Sequence, residues 1–306
     1  MQVRKQPIGQ AFAWIRQAIN LGTRNPRAIF GASLLMMATL YLAVTVMMLP
    51  ASMVLQSGGD ITAALIWGAP AYVAMNLLLP VLMGGLMHVI REAEAGRPVR
   101  ARDLFAPFRK GGAGQLGLLG GAQLLFGLLG SLIAAALAGT EYWKDYLEVM
   151  RVAMGGAVPD VMPRPEHPGL MTLVQMAFNY FNFALILFGI PLILFSRLRL
   201  AEAVRAAVRA ALANFSANFL AGLIFVGGAL VLTVVSAGVA LLAMGLGALL
   251  HPAVGNLLAV LVLIALGSVL LVVLTGAGYF AWRDTFGDDG AAAPQGRGDG
   301  RVGIEV

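Results

Sequence analysis

The stretch VGNLLAVLVLIALGSVLLVVLTGAGYFAW, running from Val254 to Trp282, contains no Asp, Glu, Lys or Arg. About 20 mostly apolar residues suffice to cross a hydrocarbon layer roughly 30 Å thick. In lipid every backbone polar group must be satisfied within the segment, so such a run is a helix. A membrane β-barrel would need alternating apolar and polar positions, and Leu257 to Leu266 does not alternate. Only His251-Pro252-Ala253 separates this stretch from another apolar run, Asn218 to Leu250, which predicts a tight hairpin. Four further stretches qualify: Ala28 to Leu49, Ile61 to Ile90, Gly114 to Ala138 and Met171 to Phe195. The expectation is an all-α, polytopic membrane bundle of six transmembrane helices with short interfacial amphipathic helices between them.

Composition agrees. Of 306 residues, 59% are hydrophobic and 12% charged, about half the charge of an ordinary soluble domain. Such a chain cannot clothe a globular core in polar surface. The absence of cysteine removes thiolate catalysis, cysteine-ligated zinc, iron–sulfur clusters and disulfides together.

The charges predict an orientation. Arg4, Lys5, Arg16, Arg24 and Arg27 precede the first span, and Arg91, Arg97, Arg100, Arg102, Arg109 and Lys110 follow the second. Arg197, Arg199, Arg205 and Arg209 follow the fourth, and Arg283, Arg297 and Arg301 the sixth. The other connections hold only Lys144, Arg151 and Arg164, against Asp60, Glu141, Asp145, Glu148, Asp160 and Glu166. This alternation places 18 of 21 basic residues on one side and predicts that both termini are cytoplasmic. The net charge of +6 is thus an orientation signal; no nucleic-acid partner is expected, because the basic residues are divided among short loops. The first 27 residues lack the apolar core of a cleavable signal, and the first span is expected to act as an uncleaved anchor.

Three connections read as amphipathic. In residues 8–24, Ile8, Phe12, Ile15 and Ile19 share a face opposite Gln10, Arg16, Gln17, Asn20 and Arg24. Residues 199–213 carry Arg199, Glu202, Arg205 and Arg209 in one stripe, and Ala101 to Phe108 gathers Leu104, Phe105 and Phe108. Basic amphipathic helices lie at the membrane interface, which makes Arg16, Arg24, Arg199, Arg205 and Arg209 candidate contacts for anionic lipid headgroups on the cytoplasmic side; docking of a protein partner is the alternative. The loop from Gly139 to Leu170 predicts a helix with Trp143, Tyr146, Leu147, Met150 and Met154 on one face, followed by a stiff return containing Pro159, Pro163, Pro165 and Pro168. Residues 287–306 predict a disordered cytoplasmic tail. A weak internal repeat aligns 15–35 with 204–224, pairing Arg16 with Arg205 and Asn25 with Asn214: a short helix, an asparagine turn, then a span.

No apolar core contains an acidic or basic residue, so proton relays, carboxylate ion sites and intramembrane metalloprotease chemistry lack their usual parts. His88, His167 and His251 occur singly, no nucleotide-binding or hydrolase motif is present, and neither enzyme activity nor a cofactor is expected. The candidate functional residues in the spans are amides, Asn76, Gln123, Asn179 and Asn182, and prolines predicted to break or kink helices, Pro70, Pro80 and Pro191. Gly117 and Gly121, extended by Gly127 and Gly130, predict a face for close helix contact. Interhelical packing or a polar pathway would each account for this set.

Several segments together resemble a family of six-span inner-membrane proteins of Gram-negative bacteria. They are Trp14 leading to Asn25-Pro26, Leu79-Pro80 to Gly84-Gly85, Asp103-Leu104-Phe105, the alanine-rich helix ending in Asn214, and Tyr279-Phe280-Ala281-Trp282-Arg283-Asp284-Thr285-Phe286. The resemblance covers the chain to about Gly287 and implies a bacterial inner membrane, with no established activity and no catalytic residue to carry over. The expected role is non-enzymatic, through lipid or partner contacts in the envelope; the alternative is a transporter or permease-like protein for a neutral or lipidic substrate.

Overall fold

The computed structural model describes residues 2–23, 25–57, 61–154 and 162–287; Arg24, Asp60, Pro159, Asp160 and the tail from 288 onward lie outside the described residues. Among the described residues the regular structure is entirely helical, without strands. The elements are α1 (Gln10–Asn20), α2 (Pro26–Gln56), α3 (Ile61–Glu94), α4 (Ala106–Lys110), α5 (Ala113–Ala138), α6 (Thr140–Met154), α7 (Pro168–Ala184), α8 (Ile190–Leu194), α9 (Leu200–Ala213), α10 (Phe215–Ala248) and α11 (Pro252–Phe286). Six helical stretches are long and apolar enough to span a bilayer: α2, α3, α5, α7 continued through α8, α10 and α11. The protein is a multi-pass membrane helix bundle.

Proline sets three helix starts. Pro26, Pro168 and Pro252 each open a helix, where a missing N–H costs nothing and the fixed φ suits the first turn. Asn25 Oδ1 accepts from Ala28 N–H at 3.3 Å, and His251 Nδ1 accepts from Ala253 N–H at 3.2 Å, so His251 is a cap inside the hairpin. Pro70 and Pro80 differ from expectation, because α3 runs unbroken through both. Pro80 is buried, and the carbonyl it leaves without an intrahelical donor, Asn76 O, faces Gly120 of α5. At Pro191 the departure from α geometry lies just upstream, as a π-helical turn over Leu185–Gly189, which absorbs the missing N–H before α8 resumes.

The helices α2, α3, α5 and α7 form a row of antiparallel neighbours, and the α10–α11 hairpin packs across it through the last part of α11. The core is concentrated at one end of the bundle. Trp14, Trp282, Phe188, Phe280, Leu82, Leu86 and Met87 are fully buried there. Towards the other end, Leu125, Leu132, Val234, Leu242 and Leu261 are exposed. Apolar side chains gain nothing by leaving hydrocarbon for one another, so exposed leucine on a membrane helix is stable.

The packed end is where the basic segments meet. Residues 4–6 run in extended form between α9 and α11: Arg4 N–H donates to Thr285 O at 2.9 Å, Gln6 N–H to Asn214 Oδ1 at 2.8 Å, and Asn214 Nδ2 to Arg4 O at 3.2 Å. Asp284 then holds α1, accepting from Gln10 Nε2 at 2.7 Å and from the buried Trp14 Nε1 at 2.9 Å on the same oxygen. Arg283 reaches Gln17 at 2.9 Å and Glu94 at 3.7 Å. Hydrogen bonds to a charged group contribute about 1.5–3 kcal/mol each, and a buried donor left alone is costly. Asp284→Ala is therefore expected to cost about 3 kcal/mol and to free α1, read as faster amide exchange over residues 10–20 with the spans still protected. Unchanged exchange in α1 would refute this role.

On α1 the isoleucine face is not the buried one. Ala11, Trp14, Ala18 and Leu21 pack on the bundle, whereas Ile8, Phe12 and Ile19 are exposed and Arg16 lies beyond them. At 100° per residue these three sets occupy separate sectors, so the helix offers one side to protein, one to an apolar medium and one to water. In α9 the buried set is Ala203, Ala207, Ala210 and Ala211, with Arg205 and Arg209 exposed. The two halves of the internal repeat share this order of elements, but Asn25 caps α2 while Asn214 clamps the N-terminal segment.

Between α3 and α5, Ala101–Phe105 forms a 3₁₀ turn that tucks Leu104 beneath α3, against Gly85. Asp103 stabilises it by accepting from Arg100 N–H at 2.9 Å and from Arg109 at 3.1 Å. The backbone N–H first, and the guanidinium second, hold its carboxyl below the usual aspartate range. At the opposite end α6 forms over Thr140–Met154 as expected, with Tyr142, Trp143 and Tyr146 in mutual ring contact and Trp143 Nε1 donating to Ala135 O at 3.2 Å.

Candidate functional site

The candidate intramembrane amides are not brought into one cavity. Asn76 returns its Nδ2 to Tyr72 O on its own helix at 2.8 Å. Gln123 is buried and donates to Asn182 Oδ1 at 3.1 Å, joining α5 to α7. Such a bond between membrane helices contributes roughly 0.6–2 kcal/mol and sets register. Gly117 and Gly121 face α3 at ordinary distances of 3.9 and 3.6 Å for an added Cβ. The tight approach is at Gly120, which the sequence reading passed over, and Gly130 packs on Phe178.

Asn179 is different. It is exposed on α7 and lines an apolar cleft of about 420 Å³ between α7, the first turns of α10 and the last part of α11. The walls include Met176, Phe183, Leu187, Phe219, Leu223, Val226 and Leu274, and Trp14 and Ile15 of α1 close one end. There the Tyr180 and Phe215 rings meet edge-on at 5.0 Å, and Tyr180 Oη donates to Ala211 O at 2.7 Å, satisfying a carbonyl in the last turn of α9. Leu223, Val226 and Met176 are themselves exposed, so the cleft opens sideways onto the apolar surface of the bundle.

Two amides give this cleft a polar end. Asn218, one turn into α10, engages the Tyr180 hydroxyl with its side chain, and its Nδ2 is buried with no other hydrogen-bond partner among the described residues. An amide NH2 carries two donors, and capacity left unused in apolar surroundings costs about 1–3 kcal/mol. Asn179 adds a second amide at the same wall. The arrangement can hold an amphiphile with its chain along Phe219, Leu223 and Val226 and an oxygen at Asn218. Only Asn179 was signalled in the sequence; Tyr180 was not, and Asn218 stood at the first residue of an apolar run and gave no separate sign.

Of the candidate headgroup contacts, Arg16 on α1, Arg199 before α9, and Arg205 and Arg209 on α9 are exposed at the packed end; Arg24 lies outside the described residues. Among the described residues no three His, Asp or Glu side chains gather to hold a metal ion. Compared with known families, with curated proteins and with solved structures, the chain finds no match.

Proposed function

We propose that this is a non-enzymatic multi-pass protein of a bacterial inner membrane that acts by engaging membrane lipid. The cleft between α7 and α10 would take an acyl chain from the side. The observation that carries this reading is the buried Asn218 amide, next to the Tyr180 hydroxyl, inside an apolar wall that opens onto the lipid-facing surface. An ester carbonyl is the acceptor that hydrocarbon lacks and a glycerolipid supplies. The basic end, with both termini, lies in the cytoplasm by the charge asymmetry of the loops. There the three-sided α1 and the arginines of α9 meet anionic headgroups. The permease-like alternative keeps the cleft but has less support, because Asn76 and Gln123 are committed to bonds elsewhere.

Gly222 lines the cleft, and a Cβ added there meets no atom within 4 Å. Gly222→Phe is therefore expected to fill the cleft without disturbing the fold. Wild-type protein in nanodiscs containing a phospholipid with a photoreactive acyl chain should crosslink at α7 and α10, and the variant should lose most of that adduct while keeping its melting temperature. Equal labelling of both proteins would overturn the reading.

A further inference from the structure

A second cavity, of about 550 Å³, lies at the basic end between the end of α3, α4, the start of α5 and the turn from α8 to α9. It is unrelated to the acyl cleft. Four cations line it, Arg91, Lys110, Arg197 and Arg199, together with His88 and Gln115. One carboxylate is present, Glu92, and Arg97 grips it through two bonds of 2.6 and 2.8 Å. The excess of positive charge in this concave space is therefore large.

The backbone around the cavity is built for close approach. Gly111 and Gly112 adopt φ of +86° and +108° and lead into α5, whose first N–H groups lack intrahelical acceptors. Opposite them, Arg197 has φ +55°, among the described residues the one non-glycine in the left-handed region. Arginine is strained there, whereas glycine would be relaxed, and strain of this kind points to a role for the side chain. The turn is held by Leu198 N–H on Leu192 O at 3.1 Å and by Leu200 N–H on Gln115 Oε1 at 3.2 Å. Arg91 stacks on Phe195 at 4.6 Å, which fixes its plane at the cavity wall.

We propose that this cavity binds a phosphate-bearing anion, clasped by Arg197, Arg199, Arg91 and Lys110 over the Gly111-Gly112 turn. Cations of this density recognise phosphoryl oxygens by charge-assisted hydrogen bonds. The phosphate can belong to a phospholipid headgroup or to a soluble compound, and the test separates the two.

Full-length protein in phosphatidylcholine nanodiscs is titrated with inorganic pyrophosphate by calorimetry; in parallel, retention of phosphatidylglycerol over phosphatidylcholine is measured by native mass spectrometry. Arg197→Gly relieves the backbone as it removes the charge, so it should keep or raise the melting temperature while weakening binding about tenfold. Lys110→Ala should weaken it comparably, and Arg27→Ala, exposed in the first turn of α2 outside the cavity, should not. Pocket-dependent retention of phosphatidylglycerol alone identifies a lipid headgroup, and pocket-dependent pyrophosphate binding identifies a soluble phosphate. Binding of neither probe, or binding unaffected by Arg197→Gly and Lys110→Ala, overturns the proposal. So does equal loss in Arg27→Ala.

Discussion

Gly85→Ala is expected to abolish folding of the packed end. A Cβ at position 85 would overlap the carbonyl oxygen of Leu104, and the carbonyl carbon behind it leaves no direction of escape. Overpacking in a core costs about 1–3 kcal/mol when side chains can shift; here the obstacle is backbone, and the cost is expected at or above the upper end. Two consequences compound it. Leu104 is fully buried, so displacing the 3₁₀ turn withdraws its side chain from the core, and Asp103 loses its hold on Arg100 N–H. The check is the thermal midpoint and the yield of monodisperse protein in detergent. Gly114→Ala serves as the control, since a Cβ there meets nothing within 4 Å and alanine is the better helix former. Gly85→Ala unfolding at the wild-type temperature would show that α3 and the 3₁₀ turn are not this close.

The second large effect is expected at Gly120. Three glycines of α5, at 117, 120 and 121, lie near α3, and their substitutions should differ sharply. Alanine at 120 would overlap Asn76 O, the carbonyl that Pro80 leaves without its helical donor. Alanine at 117 or 121 meets its nearest atom at 3.9 or 3.6 Å, an ordinary contact. Gly120→Ala is expected to lose roughly 2–3 kcal/mol, with the α3–α5 pair forced apart, and the other two to stay within about 1 kcal/mol of wild type. Resistance to unfolding in a denaturing detergent, measured on the three variants side by side, decides it. Equal behaviour of all three would mean that the helices meet on a different face.

These two glycines also mark how far the sequence could be read. The six spans were legible from apolar runs such as Val254 to Trp282, because leaving water is a property of composition that needs no partner. The helices themselves begin at Pro26, Pro168 and Pro252, just before the apolar runs at Ala28, Met171 and Val254. Pro168, expected to close the stiff return, instead opens α7, because a proline ring fixes φ to suit a first turn. The aromatic helix Thr140–Met154 followed from its period. The segments noted for family resemblance turned out to be neighbours: Trp14, Asn214 and Asp284-Thr285 make one polar clasp, and Gly85 sits on Leu104.

Which face of each helix packs was decided only in three dimensions. In a soluble protein the apolar face is the buried face, but in a bilayer lipid and core are equally apolar, and hydropathy cannot separate them. Phe12 and Ile19 of α1 therefore face outward while Ala11, Trp14 and Ala18 pack, and α9 packs through its alanines. The same ambiguity hid Gly120 behind the more regular pair Gly117 and Gly121. It also hid the cavities, because Asn218, Tyr180 and Asn179 come from two helices, and the basic pocket is assembled from α3, α4, α5 and the turn before α9. Composition and charge order place this chain in a membrane; small residues at close crossings, and the polar bonds between distant segments, decide how its helices meet.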